Sequence, residues 1–166
     1  MAKKMTTAGI FTAVALILNY MEMLLPFNIG IPGIKPGLAN LVVLLAIYLL
    51  PLAEAFAIAI CRILLAGLFS GNGIALAFSL AGGLSSFFVM LACFKSNCFS
   101  PTGVSLAGGA VHNIAQFTIA LLLLQTQALL LYLPVLLLAG IAAGLCNGLL
   151  ATKLLARLRK TRSIYH

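Results

Sequence analysis

The sequence predicts an all-α, polytopic membrane protein: one transmembrane domain, residues 1–166, built as a bundle of six spanning helices. Three observations lead there. Of 166 residues, 63% are hydrophobic and only 7% charged, whereas a soluble domain charges about a quarter of its residues to cover its surface. The apolar runs are repeated, and several reach the roughly 20 residues that cross a bilayer as helix. Polar and turn-forming residues are concentrated between these runs, where Pro, Gly and Asn punctuate the chain.

The first run extends from about Thr7 to Leu25 and stops at Pro26. The loop P-F-N-I-G-I-P-G-I-K-P-G follows, then a short run from Gly37 to Leu50 that Pro51 closes. The third covers Leu52 to Ser70, ending at Gly71-Asn72-Gly73, and the fourth covers Ile74 to Phe94. After K-S-N-C-F-S-P-T-G, the fifth spans Val104 to Leu124, and the sixth spans Ala128 to Leu155 before a basic tail. The second run is the weak element, because 14 residues rise only about 21 Å as helix, less than the roughly 30 Å hydrocarbon core. No small-x-small cleavage site follows the Lys3-Lys4 start, so the first run is expected to be retained as a helix.

Charge decides between five spans and six. The chain has ten Lys and Arg, two acidic residues (Glu22 and Glu54), and a net charge of +8. Six spans with a cytoplasmic N-terminus put Lys3, Lys4, Lys95, Lys153, Arg157, Arg159, Lys160 and Arg162 inside and only Lys35 outside. This is the positive-inside distribution of a multi-pass protein of the plasma (inner) membrane with both termini cytoplasmic. The same placement, beside apolar runs rather than across a solvated face, argues against a nucleic-acid partner.

Several chemistries lack their residues. There is no G-x-x-x-x-G-K-[ST] loop to bind and hydrolyse nucleotide. Two carboxylates without an Asp cannot build a magnesium cluster for diphosphate chemistry. Cys61, Cys93, Cys98 and Cys146 show neither C-x-x-C nor His spacing, so they read as small packing residues, with no metal or cofactor expected. No nucleophile–His–acid arrangement stands out; the chain is expected not to be an enzyme.

Polar residues within the runs are the candidates for function, since a charge at mid-membrane costs roughly 2.5–3.5 kcal/mol on insertion scales. Arg62 lies near the middle of the third run, and Glu54, eight residues earlier, is about 12 Å away along the helix. His112, Asn113 and Gln116 cluster in the fifth run, with His112 and Gln116 four apart on one face. Asn40 and Asn147 add polar groups to the second and sixth. Together they suggest a cavity open to the outside, with Glu22 and Lys35 paired at its mouth and Asn40, Arg62 and His112 deeper. The first outer loop would be its lid.

Small residues mark where helices approach. Gly140, Gly144 and Gly148 form a doubled G-x-x-x-G in the sixth run. Ala8 with Thr12 and Gly9 with Ala13 form two small-x-x-x-small pairs in the first. These serve packing within the bundle or, near the cytoplasmic end of the first run, docking of a membrane partner.

The run Gly33-Ile34-Lys35-Pro36-Gly37-Leu38-Ala39-Asn40, with Arg62-Ile63-Leu64, the glycine-rich fourth run and His112-Asn113, resembles a bacterial family. That family is labelled Gx transporter and also heptaprenyl diphosphate synthase component I. It is similar in turn to the substrate-binding S components of energy-coupling factor (ECF) transporters. That resemblance implies six helices and a small-molecule ligand bound under the first outer loop. It also implies an A-x-x-x-A docking motif where Ala8, Gly9, Thr12 and Ala13 fall, for a transmembrane T component driven by two cytoplasmic ATPases. The ligand would be vitamin-, flavin-, quinone- or isoprenoid-related, held by Lys35, Asn40, Arg62, His112, Asn113 and Gln116. The other label implies a non-catalytic membrane partner of a prenyl diphosphate synthase.

Overall fold

The computed structural model describes residues 2–24, 37–71 and 73–164. These residues form six α-helices: α1 Ala2–Leu24, α2 Leu38–Leu49, α3 Leu52–Ser70, α4 Gly73–Ser96, α5 Pro101–Leu124 and α6 Leu133–Ile164. A 3₁₀ turn, Gln127–Tyr132, leads into α6. Five of the helices are long and apolar enough to cross a membrane; α2, with 12 residues, is not. The chain is therefore a multi-pass membrane protein; the second run, expected to be short, is shorter still as α2, which rises only about 18 Å, so the count of six spans is not exact.

Local chemistry accounts for the helix limits. Ser100 caps α5, its Oγ accepting the Gly103 N–H at 3.2 Å, and Pro101 follows at the first helical position, where no N–H is missed. This starts α5 three residues before the expected Val104. Gly71 ends α3 in a left-handed conformation, φ 61°, which a residue without Cβ adopts freely. Glu54 lies in the first turn of α3, where a carboxylate complements the helix dipole. Past Leu155 the expected tail is helical as well, because α6 continues to Ile164.

From α3 to α6 successive helices pack antiparallel, as the glycine contacts show. A Cβ on Gly109 would meet the Gly140 carbonyl; one on Gly144 would lie 2.8 Å from the Ser105 carbonyl; one on Gly148 would lie 2.6 Å from Thr102 Cα. The doubled G-x-x-x-G thus binds α6 to α5 within the bundle, with backbone against backbone. Gly108 meets Met90 and Ser86 of α4, and Gly83 meets Ile63 and Arg62 of α3. With this arrangement Lys95 and the basic segment of α6 lie toward one end.

α2 stands at the centre. Ala39, Leu41, Val42, Val43, Leu44, Ala46 and Ile47 are buried, so both its faces are covered by other helices. Around its second half and the start of α3 a core forms from Leu44, Ile47, Ala55, Ile58, Phe87, Met90, Val104 and Ala151. Phe56, Phe87 and Phe88 add edge and tilted ring contacts at 5.4–6.1 Å. A helix too short to span is stable here because its ends meet protein rather than lipid.

The small residues divide. Cys93 packs against the core as expected, whereas Cys61, Cys98 and Cys146 are exposed rather than packed inside. On α1 the two small pairs separate. Ala8 packs against the core and Thr12 donates to the Ala8 carbonyl at 2.9 Å. Gly9 and Ala13 are exposed on the outer surface, with nothing within 4 Å of a Gly9 Cβ.

Candidate functional site

The start of α2 lies inside the bundle, and that fact organises the site. Gly37 precedes the helix with φ 72°. The first N–H groups of a helix have no partner within it. Here the Leu38 N–H donates to Glu22 Oε1 of α1, and a carboxylate is the favourable group at that end. The Gly37 carbonyl accepts from Asn147 Nδ2 of α6 at 3.1 Å. Two side chains from flanking helices thus satisfy backbone that would otherwise be bare at membrane depth.

One turn further, Asn40 faces α3 and α5. Arg62 donates through Nη2 to Asn40 Oδ1 at 2.6 Å. That contact fixes the amide, since only the oxygen can accept. The Asn40 NH₂ is left directed at His112 Nδ1, 3.4 Å away, which makes Nδ1 the acceptor and leaves the ring proton on Nε2. The result is a polar relay from α3 through α2 to α5. Glu22 bears electrostatically on Arg62 from α1.

These groups line a cavity of about 90 Å³ between the helices. Glu22, Gly37 and Asn40 lie on one side, Arg62 and Ser86 on another, and His112, Asn113, Gln116 and Asn147 on the third. Its walls are close because glycines line them. A Cβ on Gly82 would lie 2.8 Å from Gln116 Cγ and 2.9 Å from His112 Cε1, and Gly109, Gly140 and Gly144 complete the far side. Asn113 is anchored by donating to the Leu136 carbonyl at 2.7 Å. Among the described residues, two polar atoms are buried without a hydrogen-bond partner, Arg62 Nε and Ser86 Oγ. Such atoms in a membrane interior carry a cost of about 1–3 kcal/mol each and mark where a ligand's acceptor would be accommodated.

Of the residues expected at the site, Asn40, Arg62, His112, Asn113 and Gln116 come together around this cavity. Lys35 and the expected lid lie outside the described residues. The expected pairing of Glu22 with Lys35 lies outside the described residues; Glu22 itself is 7% exposed, lines the cavity and caps α2. Among the described residues that line it, Glu22 and Arg62 give the cavity one charge of each sign. Ser79, Ser86, Ser105 and Asn19 also line it and were not singled out from the sequence. A serine in an apolar run gives no sign of which way it faces; only the Gly82-Gly83 pair, which lets α3 and α5 close on α4, hints at the position.

A polytopic helical membrane protein with a polar cavity at mid-bundle is the class that fold and site define. A family model described as heptaprenyl diphosphate synthase component I matches residues 11–154, and the chain belongs to that family. No curated protein and no solved structure matches it.

Proposed function

We propose that this chain is the substrate-binding membrane subunit of an ECF-type uptake transporter for a small vitamin-, flavin-, quinone- or isoprenoid-related molecule. The observation that carries the proposal is the relay Arg62–Asn40–His112 around a polar cavity at the buried start of α2. Intramembrane polar groups are expensive, and a scaffold would have no use for two that lack partners. The ligand enters from the outside and is held by Asn40, Arg62, His112, Asn113 and Gln116, with Lys35 contributing from the outer loop. The basic residues at α1's start, Lys95 and α6 favour a plasma-membrane orientation with both termini cytoplasmic. Energy comes from a transmembrane T component and its cytoplasmic ATPases. Its docking surface is the outer face of α1 at Gly9 and Ala13, where smallness permits close approach.

The family description favours a second reading: the chain is a non-catalytic membrane component of a heptaprenyl or polyprenyl diphosphate synthase. Affinity purification from native membranes in mild detergent, with mass spectrometry of the copurifying chains, separates the two. A T-type subunit with paired ATPases is the expected result. A soluble Asp-rich prenyl synthase in their place would overturn the transport proposal in favour of the second. The site assignment has its own check in Arg62→Ala: a folded variant with undiminished ligand affinity would remove Arg62 from the site.

A further inference from the structure

The polar cavity, about 90 Å³, is well below the roughly 300–1,000 Å³ of pockets that enclose whole drug-sized ligands. A second concavity of about 480 Å³ lies between α1 and α3, walled by Leu16, Ile17, Asn19, Tyr20, Ala66 and Phe69. Its lining is apolar except for Asn19 and the Tyr20 hydroxyl, and Ile17, Tyr20 and Phe69 are 58%, 61% and 81% exposed, so it opens sideways where the bundle meets lipid. Asn19 belongs to both concavities. Three residues from Glu22, it lies on the same face of α1 and marks the boundary between polar interior and apolar groove.

We propose that the ligand is amphipathic, with a compact oxygen-bearing head in the polar cavity and a hydrocarbon tail passing Asn19 into the groove between α1 and α3. This rests on the ligand-binding role proposed for the cavity and narrows it to a class. The head presents acceptor oxygens, because Arg62 Nε and Ser86 Oγ are buried donors without partners. It carries at most one negative charge. Among the described lining residues Glu22 is set against one cation, Arg62, which disfavours a multiply charged group. Among the described residues, moreover, no three of His, Cys, Asp and Glu gather to hold a cation against a diphosphate. The tail needs no enclosed tunnel, since the groove faces hydrocarbon already.

The test uses the purified chain in lipid nanodiscs and two photoreactive probes with the same 20-carbon isoprenoid tail, a diazirine at its end. One probe has a carboxylic acid head and the other a diphosphate. Crosslinked peptides are mapped with and without excess unlabelled probe. The expected result is saturable labelling by the acid at Ile17, Tyr20 and Phe69, at least tenfold above that by the diphosphate. Ser86→Ala and Arg62→Ala should reduce it at least tenfold, and Ala66→Phe, which fills the groove, should abolish it. The lipid-facing control Leu138→Phe should leave it unchanged. Saturable labelling on α4–α6 instead of the groove would overturn the tail path while leaving the cavity as a ligand site. Stronger labelling by the diphosphate would overturn the head assignment. Unsaturable labelling spread over the lipid-facing surface would sink both this inference and the ligand-binding role of the cavity.

Discussion

Gly82 offers the sharpest quantitative test of the cavity wall. In Gly82→Ala the new methyl would lie 2.8 Å from Gln116 Cγ, 2.9 Å from His112 Cε1 and 3.0 Å from His112 Nδ1. Carbon contacts settle at about 3.5–4.0 Å, so the overlap is roughly 0.5–1 Å against two neighbours. Overpacking of this kind costs about 1–3 kcal/mol. Against it stands the gain from replacing a mid-helix glycine, about 1 kcal/mol. The net is a destabilisation of about 0–2 kcal/mol, or up to about 8 °C in the unfolding midpoint for a chain of this size. The displaced His112 ring also leaves Asn40, so ligand affinity should fall about tenfold. The assay is thermal unfolding in mild detergent at one scan rate, beside Gly9→Ala, where nothing lies within 4 Å and the midpoint should rise. Adding Gln116→Ala removes one obstacle, and the double variant should recover about 1 kcal/mol beyond additivity. If Gly82→Ala raises the midpoint as Gly9→Ala does and the cycle is additive, His112 and Gln116 do not lie over Gly82 and the cavity wall is misdescribed.

Two further outcomes follow from the same contacts. Gly144→Val should be worse than Gly82→Ala, because its Cβ meets the Ser105 carbonyl at 2.8 Å and Leu106 Cα at 3.0 Å, backbone that cannot rotate away. Loss of a monodisperse peak in size-exclusion chromatography would report it, and a wild-type profile would mean that α5 and α6 do not pack through these glycines. Glu22→Gln keeps an acceptor for the Leu38 N–H, whereas Glu22→Leu leaves that buried donor unpaired at a cost of about 1–3 kcal/mol. The Leu variant should therefore unfold at the lower temperature; equal midpoints would show that Glu22 does not cap α2.

Much of the bundle was legible because apolar runs and their punctuation are local. Leu52–Ser70 falls where Pro51 and Gly71 predict, and α5 ends at the expected Leu124. The cluster of Asn40, Arg62, His112, Asn113 and Gln116 was legible for a different reason: polar groups in a membrane interior have few places to go except one another. The role of Glu22 was hidden, because the sequence does not reveal that the start of α2 packs against the last turn of α1. Ser86 was hidden among Ser85, Phe87 and Phe88, where only the packing of α3 and α5 on α4 decides which hydroxyl turns inward. The paired small residues of α1 were ambiguous for a similar reason: positions one apart point about 100° apart on a helix. Ala8 accordingly turned to the core and Gly9 to the outside.

The shortness of α2 bears on how the chain is made. Twelve residues, Asn40 among them, are too few for stable insertion alone, and α3 carries an arginine that weakens its own insertion. These two least self-sufficient segments are joined by only Leu50 and Pro51, and Arg62 of one donates to Asn40 of the other. They should therefore leave the translocon together as a preformed helical hairpin, with the buried polar contact already made during synthesis. The residues that hold the ligand site would then also time the entry of the chain into the bilayer.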